Sequence, residues 1–290
     1  MSDIARDPLV QKLVELTLLE DLGDEGDVTS KALVDPKAQA KGCIFSRVPC
    51  VVSGASVAKE VFRQVCRSTK VQILIKDGQH AAPNEPILEF SGKARHILAA
   101  ERTALNFMQR LCATATLTNK FVEATRPYGT LILDTRKTTP LLRQLQKYAV
   151  TCGGGSNHRM GLYDRILMKD NHRRLWRGGD PNALDQAVLA ARKKFPHLAI
   201  EVEVESIAEC QSALRAAPEW IMLDNMSCDD MAKCVKLCDG ISLTEASGGI
   251  TLDRAVQVAQ TGVTAISLGC LTHSPGSIDL SLEWEEVLSA

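Results

Sequence analysis

A set of cationic side chains between residues 136 and 169 is the part of the sequence best suited to binding chemistry. Arg136-Lys137 follows an apolar run. The next residues, Thr138-Thr139-Pro140, cannot form a helix that extends from this run. His158-Arg159 follows a glycine-rich stretch, residues 153–157, which lets the backbone approach a ligand closely. The planar fork of arginine matches a carboxylate with two hydrogen bonds. Together with Lys169, these residues predict a pocket for a ligand with several negative charges.

Three carboxylates lie at alternate positions further along the chain, at Glu201, Glu203 and Glu205. Alternate side chains of a strand share one face. If that face is the interior of a barrel, the carboxylates need cationic partners or a metal ion, because burying an unpaired charge is costly. Lys137, Lys169 and Mg²⁺ are candidates for this role, and Glu205, at the strand end, is the expected functional member. A solvated edge strand is the alternative.

Glycines after two later strand candidates predict a phosphate site. Ser247-Gly248-Gly249 comes after one strand and Gly269 after the next. Glycine lets backbone N–H groups approach an anion, and the helix expected to begin after Thr251 adds its dipole. An isolated Ser-Gly-Gly is a weak signal, but phosphate sites after the last strands recur in α/β barrels.

A repeated strand–loop–helix pattern that begins near residue 130 must position these side chains. Its alternation implies parallel strands joined by right-handed crossovers. Nearly every strand candidate ends in a polar residue or glycine, which is typical of barrels with functional groups at the carboxyl ends of their strands. A small or incomplete α/β barrel is the expected fold, and a doubly wound sheet is the alternative. The strand candidates are Leu131–Asp134, Ile166–Met168, Ala199–Val204, Trp220–Leu223, Ile241–Leu243 and Thr264–Leu268.

The first part of the chain has a different pattern. An amphipathic helix is expected to end near Gly23, short strand-like runs follow between residues 38 and 92, and a long helical pattern covers residues 95–124. We therefore expect an N-terminal α/β domain over residues 1–115 and a barrel domain over residues 116–271. The C-terminal segment, residues 272–290, is expected to pack back onto the first domain.

Composition excludes several classes of protein. The net charge of −1 argues against a dedicated nucleic-acid binder, which normally has a strong basic excess. The ten cysteines form no C-x-x-C pair and are expected to be reduced thiols. No secretory signal and no apolar run of about 18 residues is visible, so we expect a cytoplasmic protein that does not span a membrane.

Taken together, the motifs resemble those of the quinolinate phosphoribosyltransferases. The resemblance runs in order from about residue 20 to the C-terminus, and no position that carries chemistry departs from the pattern. The segments that carry it are Glu20–Gly23, Gly26–Thr29, Glu101–Asn106, Thr135–Pro140, Asn157–Arg159, Leu167–His172, Val202–Glu205, Leu223–Asn225, Glu245–Ile250 and Gly269–Thr272.

The resemblance implies a reaction and an assembly. Quinolinate and phosphoribosyl pyrophosphate would give nicotinate mononucleotide, pyrophosphate and CO2 in NAD biosynthesis, with Mg²⁺ required. The fold implied is an N-terminal α/β sandwich followed by an open, seven-stranded α/β barrel. The assembly implied is a homodimer, or a hexamer built from dimers, in which each active site is completed by a neighbouring subunit.

The resemblance also implies roles for individual residues. The quinolinate carboxylates would be held by Arg102 from the partner subunit and by Arg136, His158, Arg159 and Lys169. The phosphoribosyl end would be held by Lys137, Glu205, Asp224, Ser247, Gly248, Gly249 and Gly269. Glu205 and Asp224 would also hold Mg²⁺, directly or through water. Lys137, Lys169, Glu205 and Asp224 are the expected catalytic residues.

Three alternatives are left open by the sequence. A related phosphoribosyltransferase with a different acceptor would share most of the motifs. Lys169 on a barrel strand could instead form a Schiff base with a carbonyl substrate, as in aldolases. A protein that senses nucleotides or phosphate without catalysis would use the same anion site.

Overall fold

The computed structural model describes residues 3–176 and 180–288, which divide into two compact units. The first unit contains the chain up to Asn119, the segment Thr139–Gly154 and the chain from Thr272 onward. The second unit contains Lys120–Thr138 and Gly155–Leu271. The predicted boundary after residue 115 differs from this division, because residues 139–154 return to the first unit.

The first unit contains the elements α1 Pro8–Leu22, α2 Val28–Leu33, β1 Gln39–Ser46, β2 Cys50–Val51, α3 Ala55–Val65, β3 Lys70–Ile73, β4 His80–Ala81, β5 Pro86–Lys93, α4 Ala94–Thr125, α5 Arg143–Cys152, α11 Cys270–His273 and β12 Leu280–Leu288. Its antiparallel sheet has the strand order β12-β1-β5-β3, and β2 and β4 form a separate two-stranded sheet. Its helix α1 begins after Asp7, whose side chain accepts a hydrogen bond from Leu9 N, and ends at Leu22, directly before Gly23, as predicted. Apolar residues of α1, α3, the sheet and α4 form its core. Residues 120–125 of α4 and 270–271 of α11 already belong to the second unit.

The second unit is a parallel sheet with helices between its strands. Its elements are β6 Leu131–Leu133, β7 Ile166–Met168, α6 Asp170–Leu175, α7 Leu184–Lys194, β8 Ile200–Val204, α8 Ile207–Leu214, β9 Trp220–Asp224, α9 Cys228–Cys238, β10 Leu243–Ser247, α10 Leu252–Gln260 and β11 Ala265–Ser267. Helices α8, α9 and α10 begin after Ser206, Ser227 and Thr251, and each of these side chains accepts a hydrogen bond from a backbone N–H of the first turn. The predicted caps are thus confirmed.

The strand order of this sheet is that of an open barrel. It runs β6-β11-β10-β9-β8-β7, and Leu133 also forms a parallel bridge to Ser156 on the other side of β6. With Ser156 as the seventh strand position, the order is cyclic and open between Ser156 and β7. A doubly wound sheet reverses its order at a switch point, which this sheet does not. The predicted α/β fold is confirmed, and the carboxyl ends of all its strands meet at one edge.

None of the helices in the described ranges is long and apolar enough to cross a membrane. All ten cysteines lie in those ranges, and each is a thiol rather than part of a disulfide.

Candidate active site

A cavity of about 280 Å³ opens at the carboxyl ends of the barrel strands within the second unit. Its walls carry both cationic side chains and hydroxyls, and its apolar surface comes from Leu167 and Met222. The predicted residues that line it are Arg136, Lys137, His158, Arg159, Lys169 and Ser247, and the other lining residues are Thr135, Leu167, Met222, Glu245 and Ser267.

The cationic wall is built from three loops. Arg136 and Lys137 follow β6, Arg159 follows the bridge at Ser156, and Lys169 follows β7. Arg159 is buried, and its burial together with the neighbouring Arg136 charge lowers the pKa of its guanidinium. An arginine nevertheless stays charged in proteins. An anionic ligand would offset the repulsion between the two guanidinium groups, so the wall is suited to bind one.

His158 contacts protein groups with both ring nitrogens. Nδ1 accepts a hydrogen bond from the Arg159 backbone N–H at 2.7 Å. Nε2 lies 3.0 Å from a carboxylate oxygen of Glu201 and 3.4 Å from one of Glu245. The His158 backbone N–H donates to the buried carboxylate of Asp134 at 2.9 Å. The ring therefore holds the Arg159 loop in place. His158 also lines the cavity, so its predicted contact with the ligand stays a prediction.

The carboxylates of β8 differ from the expectation for Glu205. Glu203, not Glu205, faces the cationic wall, because its side chain is buried and Lys169 Nζ donates to it at 3.1 Å. Glu205 lies beyond the strand end and is exposed. The prediction of a buried face with cationic partners is correct for Glu201 and Glu203. The strand ends at Val204, as predicted, and Glu205 is the first residue outside it. The ion pair at Lys169 also disfavours an aldolase, which needs a free amine as its nucleophile.

Glu245 lies inside a strand and not after it. The predicted strand Ile241–Leu243 is displaced, since β10 runs from Leu243 to Ser247. Glu245 consequently points from the middle of β10 and is fully buried. Burial raises the pKa of its carboxyl group well above the usual range, and the nearby Glu201 carboxylate adds to this effect. Burial also acts to raise the pKa of Glu201, but His158 and Arg165 outweigh it and the pKa is lowered.

The Ser-Gly-Gly loop adjoins the end of the neighbouring strand β9. Ser247 pairs with Asp224 across the two parallel strands, and Asn225 N donates to Ser247 O at 3.0 Å. Asn225 has a left-handed backbone with φ of 54° and donates from its amide to Asp224 at 2.7 Å. Gly248 has φ of 97°, and a Cβ placed there would lie 2.1 Å from the Asn225 side-chain oxygen. The turn therefore requires glycine at 248.

Gly248→Ala is expected to raise the KM for a phosphorylated substrate about tenfold, with a lower melting temperature. An alanine must adopt a backbone conformation that costs about 1–2 kcal/mol, and it must displace Asn225 and with it Asp224. A tenfold change corresponds to about 1.4 kcal/mol. Steady-state kinetics and thermal unfolding would measure both effects. Gly240→Ala, which also has a positive φ of 68° but has open space around its Cβ position, separates backbone strain from displacement of Asn225. Equal KM values for the Gly248 variant and the unaltered protein would contradict this account.

Several predicted residues do not line the cavity. Glu205, Asp224, Gly248, Gly249 and Gly269 belong to the second unit but lie outside the lining. Arg102 is exposed on α4 in the first unit. Sequence reasoning does not assign four further residues to the site. Glu245 and Ser267 line the cavity, whereas Glu203 and Arg165 lie outside the lining and pair with Lys169 and Glu201. The alternation of Glu201 and Glu203 along the strand is a signal that could identify Glu203. The alternate position of Ser267 on β11 is a weaker signal for that residue.

The fold and the cation-lined cavity define an α/β-barrel enzyme for substrates with several negative charges. The family model for the N-terminal domain of quinolinate phosphoribosyl transferase matches residues 27–112, and that for its C-terminal domain matches residues 114–283. The chain belongs to the quinolinate phosphoribosyltransferase family.

Individual relatives agree with this assignment. A tobacco (Nicotiana tabacum) protein named quinolinate phosphoribosyltransferase (decarboxylating) 1b is 38% identical over 292 residues, which are 96% of this chain and 83% of the relative. A probable nicotinate-nucleotide pyrophosphorylase (carboxylating) of Bacillus subtilis is 39% identical over 275 residues, or 94% of this chain and 93% of the relative. The structure of the nicotinate-nucleotide pyrophosphorylase from Francisella tularensis superposes with a TM-score of 0.90 at 40% identity, covering 96% of each chain.

Proposed function

We propose that this protein transfers the phosphoribosyl group of phosphoribosyl pyrophosphate to quinolinate and decarboxylates the product. The products are nicotinate mononucleotide, pyrophosphate and CO2. The observation that supports this most directly is the cationic wall of Arg136, Lys137, Arg159 and Lys169 in one cavity at the strand ends. Both substrates carry several negative charges, which the cationic wall can bind. Membership of the family identifies the class of reaction.

Arg136 and Arg159 bind the quinolinate carboxylates, because a guanidinium forms two parallel hydrogen bonds with a carboxylate. Lys169, ion-paired with Glu203, closes the same side of the cavity. The paired guanidinium groups favour a dicarboxylate over a monocarboxylate such as nicotinate. His158 supports Arg159 through the backbone and is a positioning residue.

Lys137, the Ser247–Gly249 loop and Gly269 hold the phosphates of the second substrate. Ser247 and Lys137 line the cavity, while the glycines supply backbone beside it. Positive charge develops on the ribose as the bond to pyrophosphate breaks, and a carboxylate held in a buried site stabilises such charge. Glu203 has the burial for this role and Asp224 the position at the strand end; the exposed Glu205 contributes less.

Mg²⁺ fits the donor groups at this edge. Magnesium is usually bound by one or two carboxylates together with substrate phosphates and water. Asp224, oriented by the Asn225 amide, is such a carboxylate, and Glu205 at the adjacent strand end is a second, through water. When bound, the ion neutralises charge on the pyrophosphate that leaves.

The protein is proposed to work as a homodimer, or as a hexamer of dimers, in the cytoplasm. Arg102 is exposed on α4, where it can reach the active site of a second subunit. Exposed leucines on α1, at positions 9, 16 and 19, supply apolar surface for association. Ten thiols without a disulfide fit a reducing compartment.

The test supplies quinolinate or nicotinate, separately, with phosphoribosyl pyrophosphate and Mg²⁺. Nicotinate mononucleotide, pyrophosphate and CO2 are measured, and a chelator is added in a parallel reaction. We expect equal amounts of the three products from quinolinate only, and loss of turnover with the chelator. Turnover of nicotinate but not of quinolinate would overturn the proposal.

A further inference from the structure

The side chains of His158, Glu201 and Glu245 form a buried cluster beside the cationic wall. The proposed function gives this cluster no chemical role. One nitrogen of His158 and one oxygen each of Glu201 and Glu245 all lie within 4.8 Å of one another. Both glutamates have no exposed surface, and His158 is 7% exposed. Of the three, His158 and Glu245 also line the cavity, so the cluster reaches the place where the substrate ring would lie.

The hydrogen bonds of His158 fix where protons reside in this cluster. Because Nδ1 accepts the Arg159 backbone N–H, the ring proton must be on Nε2, which faces the two carboxyl groups. A metal ion at this point would need the lone pair of Nε2. A neutral imidazole cannot offer lone pairs from both nitrogens, so the cluster is built to hold protons and not a cation.

The two carboxyl groups have different surroundings. Glu201 faces His158 Nε2 and the Arg165 guanidinium, 3.3 Å away, and is therefore the ionised member. Glu245 is flanked on the adjacent strands by Met222 and Ala265, which carry no charge. The titratable groups near it are Glu201 and His158. Ser267 and the charge of Arg165 act to lower the pKa of Glu245, but burial and Glu201 outweigh them, and the cations of the wall line the same cavity. Two adjacent buried carboxylates cannot both ionise cheaply, and Glu245 keeps the proton.

The proposed reaction needs a proton at this position. Once the ring nitrogen of quinolinate carries the ribosyl group, the bond between C2 and its carboxylate breaks, CO2 leaves, and the electron pair stays on C2. We propose that Glu245 is the acid that protonates this carbanion. The O–H bond of Glu245 breaks as the C2–H bond forms, and the resulting carboxylate regains a proton from water when the product leaves. This inference rests on the proposed function.

Glu245→Gln tests it, since glutamine keeps the size of the side chain but has no acidic proton. In a single turnover with quinolinate, phosphoribosyl pyrophosphate and Mg²⁺, we expect pyrophosphate release within about threefold of the unaltered protein. Formation of nicotinate mononucleotide should fall about 100-fold, the lower range for general acid catalysis, and phosphoribosyl quinolinate should accumulate. Glu245→Asp, which retains an acid, should recover at least about tenfold of the product rate.

Other outcomes separate the possibilities. If product formation keeps pace with pyrophosphate release in Glu245→Gln, or if both fall together, Glu245 is not the acid. If the unaltered protein forms no product from quinolinate, the proposed function fails and this inference with it. Asp253→Asn, which removes an exposed carboxylate from the same unit, controls for a loss of negative charge alone.

The pH profile of Glu201→Gln gives an independent test that does not require changing Glu245. The Glu201 charge raises the pKa of Glu245, so removing that charge lowers it. Glu245 acts in its protonated form, and product formation is lost as the pH rises through its pKa. The alkaline limb of the profile should therefore move to lower pH in Glu201→Gln. An unmoved limb would overturn the assignment of Glu245.

Discussion

Arg159→Ala is expected to raise the KM for quinolinate by about 100-fold or more, with a smaller effect on the KM for phosphoribosyl pyrophosphate. Arg159 is buried at the cavity wall, and burial with the nearby Arg136 charge already lowers the pKa of its guanidinium. In the variant, a substrate carboxylate at this wall lacks the two hydrogen bonds that the charged Arg159 guanidinium would donate in a site shielded from water. Truncating one member of such a pair costs about 2–5 kcal/mol, or about 30-fold to several thousand-fold in affinity.

Arg136→Ala should have the same direction but a smaller effect. Removing the Arg136 charge also removes its repulsion of the Arg159 guanidinium, and this gain partly offsets the loss of the contact between Arg136 and quinolinate. Titration calorimetry with quinolinate measures binding without turnover. Arg192→Ala is a suitable control, because it removes an arginine whose ion pair with Glu219 is exposed and worth about 0–1 kcal/mol. Unchanged quinolinate affinity in Arg159→Ala would refute the carboxylate assignment.

The sequence predicts this part of the site well because the signals are local. An arginine directly after an apolar strand must emerge at the strand end, and parallel strands bring such ends together. The capping serines and threonine are similarly local, and each begins its helix where expected. Arg136, Lys137, Arg159 and Lys169 are therefore found together in one cavity.

The carboxylates were harder to place because a strand boundary decides which of them is buried. β10 begins two residues and ends four residues later than predicted, and the later end places Glu245 inside the strand. The orientation of the His158 ring depends on a backbone N–H and two carboxyl groups, of which Glu201 and Glu245 are each more than 40 residues away along the chain. Likewise, residues 139–154 return to the first unit although they lie between two barrel segments. Tertiary packing determines each of these features, so they cannot be predicted from local sequence patterns.

Glu203→Gln is expected to lower kcat about 100-fold, whereas Glu205→Gln should remain within about threefold of the unaltered protein. The two residues are two positions apart, but only Glu203 is enclosed, with 8% of its side chain exposed and Lys169 Nζ at 3.1 Å. A fixed charge in such a site can stabilise the developing charge on the ribose by about 100-fold or more. The Glu205 carboxylate is exposed, and its proposed contact with Mg²⁺ is only through water, so Asp224 still holds the ion when Glu205 is neutral.

Steady-state and single-turnover kinetics with both substrates would measure the difference. Glu203→Asp should restore part of the rate, because aspartate keeps the negative charge on a side chain that is one methylene group shorter. Thermal unfolding should change little in Glu203→Gln, because 47% of the Lys169 side chain is exposed and water can solvate it once its partner is neutral. A large loss of kcat in Glu205→Gln together with a small one in Glu203→Gln would restore the assignment made from the strand pattern.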